Sequence, residues 1–86
     1  MNNSTHNRLA LILLGGARGD LEFSADGNVR YSNEKKGPLL LKLHRAEPRG
    51  YRWEVTPAGA DFLLENLQDC YTESERRQLE TLTGRR

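Results

Sequence analysis

The chain has 86 residues, of which 36% are hydrophobic, and its 13 basic and 12 acidic residues leave a formal net charge of +1. This length excludes a second hydrophobic core, and the near-neutral charge excludes a strong overall field that would by itself identify a polyanionic partner. The single cysteine excludes an internal disulfide, and the apolar runs are too short to cross a bilayer, which together indicate a cytoplasmic protein without membrane contact.

The first predicted element is an apolar helix over Arg8–Leu14. Asn7 is a good cap for this helix, because its side chain can accept a hydrogen bond from a backbone N–H of the first turn. Gly15 or Gly16 is expected to end the helix in the left-handed conformation. Nearly every residue of the helix is apolar, so we expect it to be buried on most sides at the centre of the core.

Apolar and polar residues then alternate on both sides of a turn at Asp26-Gly27, which predicts a β-hairpin. A two-residue loop would place Phe23 opposite Arg30 and divide the apolar residues between the two faces. A three-residue loop with Gly27 in the left-handed conformation keeps one face apolar, and we therefore favour it. The pairs predicted from this loop are Leu21 with Tyr31, Glu22 with Arg30 and Phe23 with Val29.

The leucine-rich segment over residues 39–45 fits two structures. Pro38 suits the first turn of a helix, and leucine without β-branched neighbours favours a helix. The alternation of Leu39, Leu41 and Leu43 is also typical of a strand. We favour the helix and keep the strand as the alternative.

The C-terminal half is predicted to contain a strand over residues 51–55 and two helices. Thr56 and Pro57 start the first helix as cap and first residue, and Thr72-x-x-Glu75 is a capping box that starts the second. The predicted fold is therefore α+β, with about four helices, a β-hairpin and one further short strand. We expect residues 1–7 to be disordered, residues 8–83 to form the single compact domain and residues 84–86 to form a tail.

Residues 40–64, LLKLHRAEPRGYRWEVTPAGADFLL, resemble the end of a winged helix-turn-helix domain of bacterial regulators. In that family a leucine-rich recognition helix leads into a basic wing, and a strand that ends in a Thr-x-x-Gly helix start follows, as at Thr56-Pro57-Ala58-Gly59. The resemblance implies a winged-helix-like domain. Its recognition helix would present Lys42, His44 and Arg45 to the major groove of DNA, and its wing would be flanked by Arg49 and Arg52.

Charge is unevenly distributed along the chain, and two functional hypotheses follow from this. Seven basic residues stand against two acidic ones between Arg30 and Arg52, which is typical of a surface that binds nucleic-acid phosphates. The leading hypothesis is a small regulator or accessory protein that binds double-stranded DNA, without catalytic, metal or cofactor sites. Its contact residues would be Lys35, Lys36, Lys42, Arg45, Arg49 and Arg52.

The alternative hypothesis is a protein-binding module or small inhibitor of phage or mobile-element origin. It depends on the acidic residues Asp61, Glu65 and Asp69, which recur every four residues and are expected on one helix face. The partner would be another protein or a second copy of the chain. The same acidic residues are also compatible with an ordinary solvated helix face, as the basic segment is with a solvated basic surface.

Overall fold

The computed structural model describes residues 2–17, 21–31, 38–45 and 50–84. This part of the chain forms one antiparallel sheet with strand order β1-β2-β3-β4 and three helices. No helix in it is both long enough and apolar enough to cross a bilayer. The elements in chain order are α1 (Asn3–Gly16), β1 (Leu21–Phe23), β2 (Val29–Tyr31), β3 (Leu41–Arg45), β4 (Tyr51–Val55), α2 (Pro57–Asn66) and α3 (Glu73–Thr83).

The hairpin formed by β1 and β2 confirms the predicted three-residue loop. All three predicted pairs are present, with Glu22 opposite Arg30 at the centre. The Ser24 N–H donates to the Asn28 carbonyl at 2.9 Å, and Gly27 has a φ of 89°, in the left-handed region where glycine is favoured. The apolar residues of both strands therefore lie on the same face of the sheet.

The helix predicted over residues 39–45 is wrong, and the alternative strand is confirmed as β3. All five residues of β3 pair with β4, and Leu41 also pairs with Val29 of β2. Asn28 extends the pairing with β2, because its side-chain Oδ1 accepts the Leu43 N–H at 3.1 Å. These contacts with two neighbouring strands outweigh the weak intrinsic preference of leucine for a helix. The described residues consequently contain three helices rather than about four, and no recognition helix lies at Lys42 to Arg45.

Helix α1 begins at Asn3 rather than Arg8, so it includes residues 3–7, which were predicted to precede the compact domain. The cap is Asn2, whose Oδ1 accepts the Thr5 N–H at 2.8 Å. The helix also continues through Gly15 and Gly16 and ends at Ala17, which has a φ of −107°. The left-handed helix end predicted at those glycines is therefore also wrong, because α1 closes with an Ala17 N–H bond to the Leu13 carbonyl.

The two C-terminal helices start as predicted. The Thr56 side chain accepts the Gly59 N–H at 3.1 Å, and Thr72 and Glu75 form the predicted capping box of α3. Gly59 lets α2 approach the sheet closely, since a Cβ there would lie 2.1 Å from the Leu40 carbonyl oxygen. The hydrophobic core between the helices and the sheet comprises Leu9, Ala10, Leu13, Ala17, Val29, Leu40, Leu41, Val55, Ala60, Phe62, Leu63 and Leu79.

A buried carboxylate joins α1 to α3. Glu75 is buried, and its Oε2 accepts a hydrogen bond from the Arg8 Nε at 2.7 Å while its Oε1 accepts the Thr72 N–H at 2.8 Å. Burial alone would raise the pKa of Glu75, but the hydrogen bond from Thr72 and the Arg8 guanidinium hold that pKa below its ordinary value. Glu75 therefore completes the capping box of α3 and also anchors α1.

Candidate interaction surface

The strand register assigns alternate residues of β3 and β4 to opposite faces of the sheet. Leu41 lies opposite Val55, Leu43 opposite Trp53 and Arg45 opposite Tyr51, all on the face that contributes to the core. The other face, which we call the polar face, carries the intervening pairs of β3 and β4 together with the Glu22–Arg30 pair of β1 and β2. The intervening pairs are Lys42 with Glu54 and His44 with Arg52.

This alternation separates the residues predicted to bind DNA. Lys42 is exposed and Arg52 is half-buried on the polar face, whereas Arg45 is exposed on the opposite face. In a helix Lys42 and Arg45 would have shared a face, but a strand directs them to opposite sides. Three further predicted contact residues, Lys35, Lys36 and Arg49, lie outside the residues that the structure describes.

Carboxylates stand among the cations of the polar face. The Nε2 of His44 lies 2.8 Å from Oε1 of Glu54, and Glu54 also pairs across the strands with Lys42. At the other end of the face, Glu22 lies opposite Arg30. The polar face therefore has mixed charge rather than the uniformly positive charge typical of a phosphate-binding surface.

The predicted acidic stripe is also divided. Asp61 is half-buried and Glu65 exposed on α2, but this helix ends at Asn66, so Asp69 is not on the same helix face. Asp61 and Glu65 border a shallow groove of about 200 Å³ between α2 and the segment that leads into β3. Its other lining residues are Pro38, Leu40, Ala58, Phe62 and Asn66.

An aromatic patch lies on the core-side face of the sheet, at the end formed by Arg45 and Tyr51. We define it as Leu43, Arg45, Tyr51 and Trp53. Tyr51 is 61% exposed, and the Arg45 guanidinium carbon lies 5.8 Å from the centre of its ring, within the range of a cation–π contact. Leu43 and Trp53 are half-buried, and Trp53 packs against the core. The patch thus places the exposed side chains of Tyr51 and Arg45 on two paired strands of the sheet.

The outer edge of β4 is occupied by side chains of α1. The Trp53 N–H donates to Asn7 Oδ1 at 2.7 Å, and the Val55 N–H donates to His6 Nδ1 at 3.0 Å. Burial, and then neighbouring positive charge, lowers the pKa of His6, which favours the neutral ring that can accept this bond. Sequence analysis missed both roles because it assigned His6 to a disordered terminus and Asn7 to a cap.

The described residues contain no group of three or more His, Cys, Asp and Glu side chains that could hold a metal ion. Cys70 is exposed and forms no disulfide. Comparison of the chain with protein-family models, curated proteins and solved structures found no match.

Proposed function

We propose that the protein is a small binding module that recognises a partner protein through its aromatic patch. The observation that carries this proposal is the exposed Tyr51 ring beneath the Arg45 guanidinium, next to half-buried Trp53. Tyrosine, tryptophan and arginine are the residue types that contribute most to the binding free energy of protein interfaces. Their rigid rings supply contact area with little loss of side-chain entropy.

The charge on the patch indicates the chemistry of the partner. Arg45 is its only ionisable cation, and it lies at the exposed end opposite Tyr51. A complementary surface would therefore present an apolar centre to Tyr51 and Trp53 and a carboxylate to Arg45. The mixed charge of the polar face favours this use of the molecule over a surface dedicated to phosphates.

A photo-crosslinking experiment tests the proposal. Benzoylphenylalanine replaces Tyr51 in one protein and Arg77 in a matched control, since the Arg77 side chain is 78% exposed on α3. After nuclease treatment of a native-cell lysate, we expect the probe at 51 to capture a distinct protein band that the probe at 77 does not capture. Arg45→Ala should reduce that band. Equal labelling from both positions, or a band indifferent to Arg45→Ala, would contradict the proposal.

Double-stranded DNA is the second candidate partner, and the presence of Lys42 and Arg52 on one face favours it. Neutralising two phosphates would make log affinity fall with log salt at a slope of about −1.8. A gel-shift series over salt with wild type, Lys42→Ala and Arg52→Ala measures this slope. Equal shifts for all three proteins would remove Lys42 and Arg52 from consideration as DNA contacts.

A further inference from the structure

The two edges of the sheet differ in their hydrogen bonding. On the β4 edge, the N–H groups of Trp53 and Val55 are bonded to side chains of α1. On the β1 edge, the Ser24 bond to Asn28 shows that Ser24 faces β2, so Glu22 does as well and Leu21 and Phe23 point their N–H and C=O groups outward. No strand in the described part of the chain pairs with that outer edge.

The side chains of β1 continue the core pattern to this open edge. Phe23 pairs with Val29, which pairs with Leu41, which pairs with Val55, so the four residues form one row across the sheet. Val29, Leu41 and Val55 are fully buried, but Phe23 is 59% exposed. A further strand beside β1 would cover the Phe23 ring and bond the outward groups of Leu21 and Phe23 in the same step.

The charge at the centre of β1 selects among possible occupants. Glu22 is exposed on the polar face, between the two outward-pointing residues. A second copy that paired antiparallel over all of β1 would place Glu22 directly opposite its counterpart, and like charges directly opposite are destabilising. A basic residue at that position of an added strand would instead form a favourable cross-strand pair.

We propose that β1 accepts an extended segment of a partner protein, with an apolar–basic–apolar alternation, as a fifth strand of the sheet. The basic residue lies opposite Glu22, and the apolar residues flank Phe23 and Leu21 on the core-side face. This inference rests on the proposed function of the chain as a protein-binding module. It adds a second, backbone-mediated contact at the edge farthest from β4 in strand order.

The experiment selects peptides from a phage-displayed library of random linear sequences on the full chain. Binding of a selected peptide is then compared between Phe23→Pro and Phe23→Val. Both variants lose the ring, but only proline removes the outward N–H, which an edge strand tolerates. We expect the proline variant to bind about tenfold more weakly than the valine variant, as for loss of one hydrogen bond. Equal binding by the two variants would overturn the inference.

Charge reversal supplies an independent measurement. Selected peptides should carry the apolar–basic–apolar alternation, and Glu22→Lys should change the selected central residue from basic to acidic. The same motif selected on both proteins, or no enrichment on the wild type, would overturn the inference. Amide spectra of each variant establish that it is folded before its binding is compared.

Further outcomes separate this inference from the proposed function. Binding lost in Tyr51→Ala but equal in Phe23→Pro and Phe23→Val would leave the aromatic patch as a binding site and refute the β1 edge. A concentration-dependent dimer that Phe23→Pro dissociates would identify a second copy as the occupant and refute the partner segment. Failure of the crosslink at position 51, with the expected proline effect intact, would contradict the aromatic patch alone.

Discussion

Gly59 lies so close to the Leu40 carbonyl that we expect even an alanine at this position to destabilise the fold. In Gly59→Ala, the new Cβ would lie 2.1 Å from the Leu40 carbonyl oxygen and 3.0 Å from its carbon. An unstrained carbon–oxygen contact is about 3.3 Å, so the two groups must separate by about 1.2 Å. The Leu40 oxygen is not free to move, because it accepts bonds from the Thr56 N–H at 3.2 Å and from the Thr56 hydroxyl at 3.0 Å.

The magnitude follows from these contacts. Weakening two hydrogen bonds costs about 1 kcal/mol each, and forcing α2 away from its packed position costs about 1–3 kcal/mol. Replacing a helical glycine by alanine returns about 0.5–1 kcal/mol. We therefore expect Gly59→Ala to lower the free energy of unfolding by about 2–4.5 kcal/mol, a large share of the total for so small a domain.

Urea denaturation measures this change, and Gly15→Ala is the matched control. Gly15 is also helical, but a Cβ there would meet none of the described residues within 4 Å. Gly15→Ala should raise the free energy of unfolding by about 0.5–1 kcal/mol through helix propensity. If Gly59→Ala proved as stable as the wild type, the contact with Leu40 would not restrict the fold as described.

Three further predictions concern local strain and pH. Gly27 and Gly50 have φ values of 89° and 94°. Among the described residues, a Cβ at 27 meets the end of the Leu43 side chain at 2.5 Å and its Cβ at 3.3 Å, while one at 50 meets nothing within 4 Å, so in urea denaturation Gly27→Ala should lose about 1 kcal/mol more free energy of unfolding than Gly50→Ala. The pKa of His6 is lowered from 6.5, so its contribution to the free energy of unfolding is complete above that pH and is lost as pH falls toward the folded-state pKa. Melting temperatures measured between about pH 7.5 and pH 5.5 should therefore decline less in His6→Gln than in the wild type. The pKa of Glu75 is lowered from 4.5, so its contribution to the free energy of unfolding is present above that pH and is lost in acid. Urea denaturation should show Glu75→Gln about 1 kcal/mol less stable than the wild type at neutral pH but nearly equal to it near pH 2.

The elements that sequence alone predicted correctly are those fixed by local chemistry. The loop at Gly27 sets the register of its hairpin within a few residues, and the Thr56 and Thr72 caps each act on an amide three residues along the chain. Segments whose structure depends on distant partners were predicted poorly. Asn7 reaches across 46 residues to Trp53, and this contact, invisible in local sequence, fixes the start of α1 against the sheet.

The candidate site was harder to predict because it depends on one strand. Residues 39–45 have leucines that suit either structure, and only pairing with β2 and β4 decides between them. Once the segment is a strand, Lys42 and Arg45 diverge, and Arg45 joins Tyr51 instead. The alternation of Tyr51, Trp53 and Val55 was clear in the sequence, but their burial grades from exposed to fully buried along β4, and only the tertiary fold shows that gradient.

The side chains of His6 and Asn7 also occupy the outer edge of β4, where a further strand could otherwise pair. If α1 were detached, the amides of Trp53 and Val55 would lose their acceptors, and the molecule would then offer unsatisfied strand edges on both sides. Copies with two such edges can stack without limit, which is the route to fibrils. By bonding these two amides, the side chains of His6 and Asn7 leave the outer edge of β4 without free donors at Trp53 and Val55 for a strand of another copy.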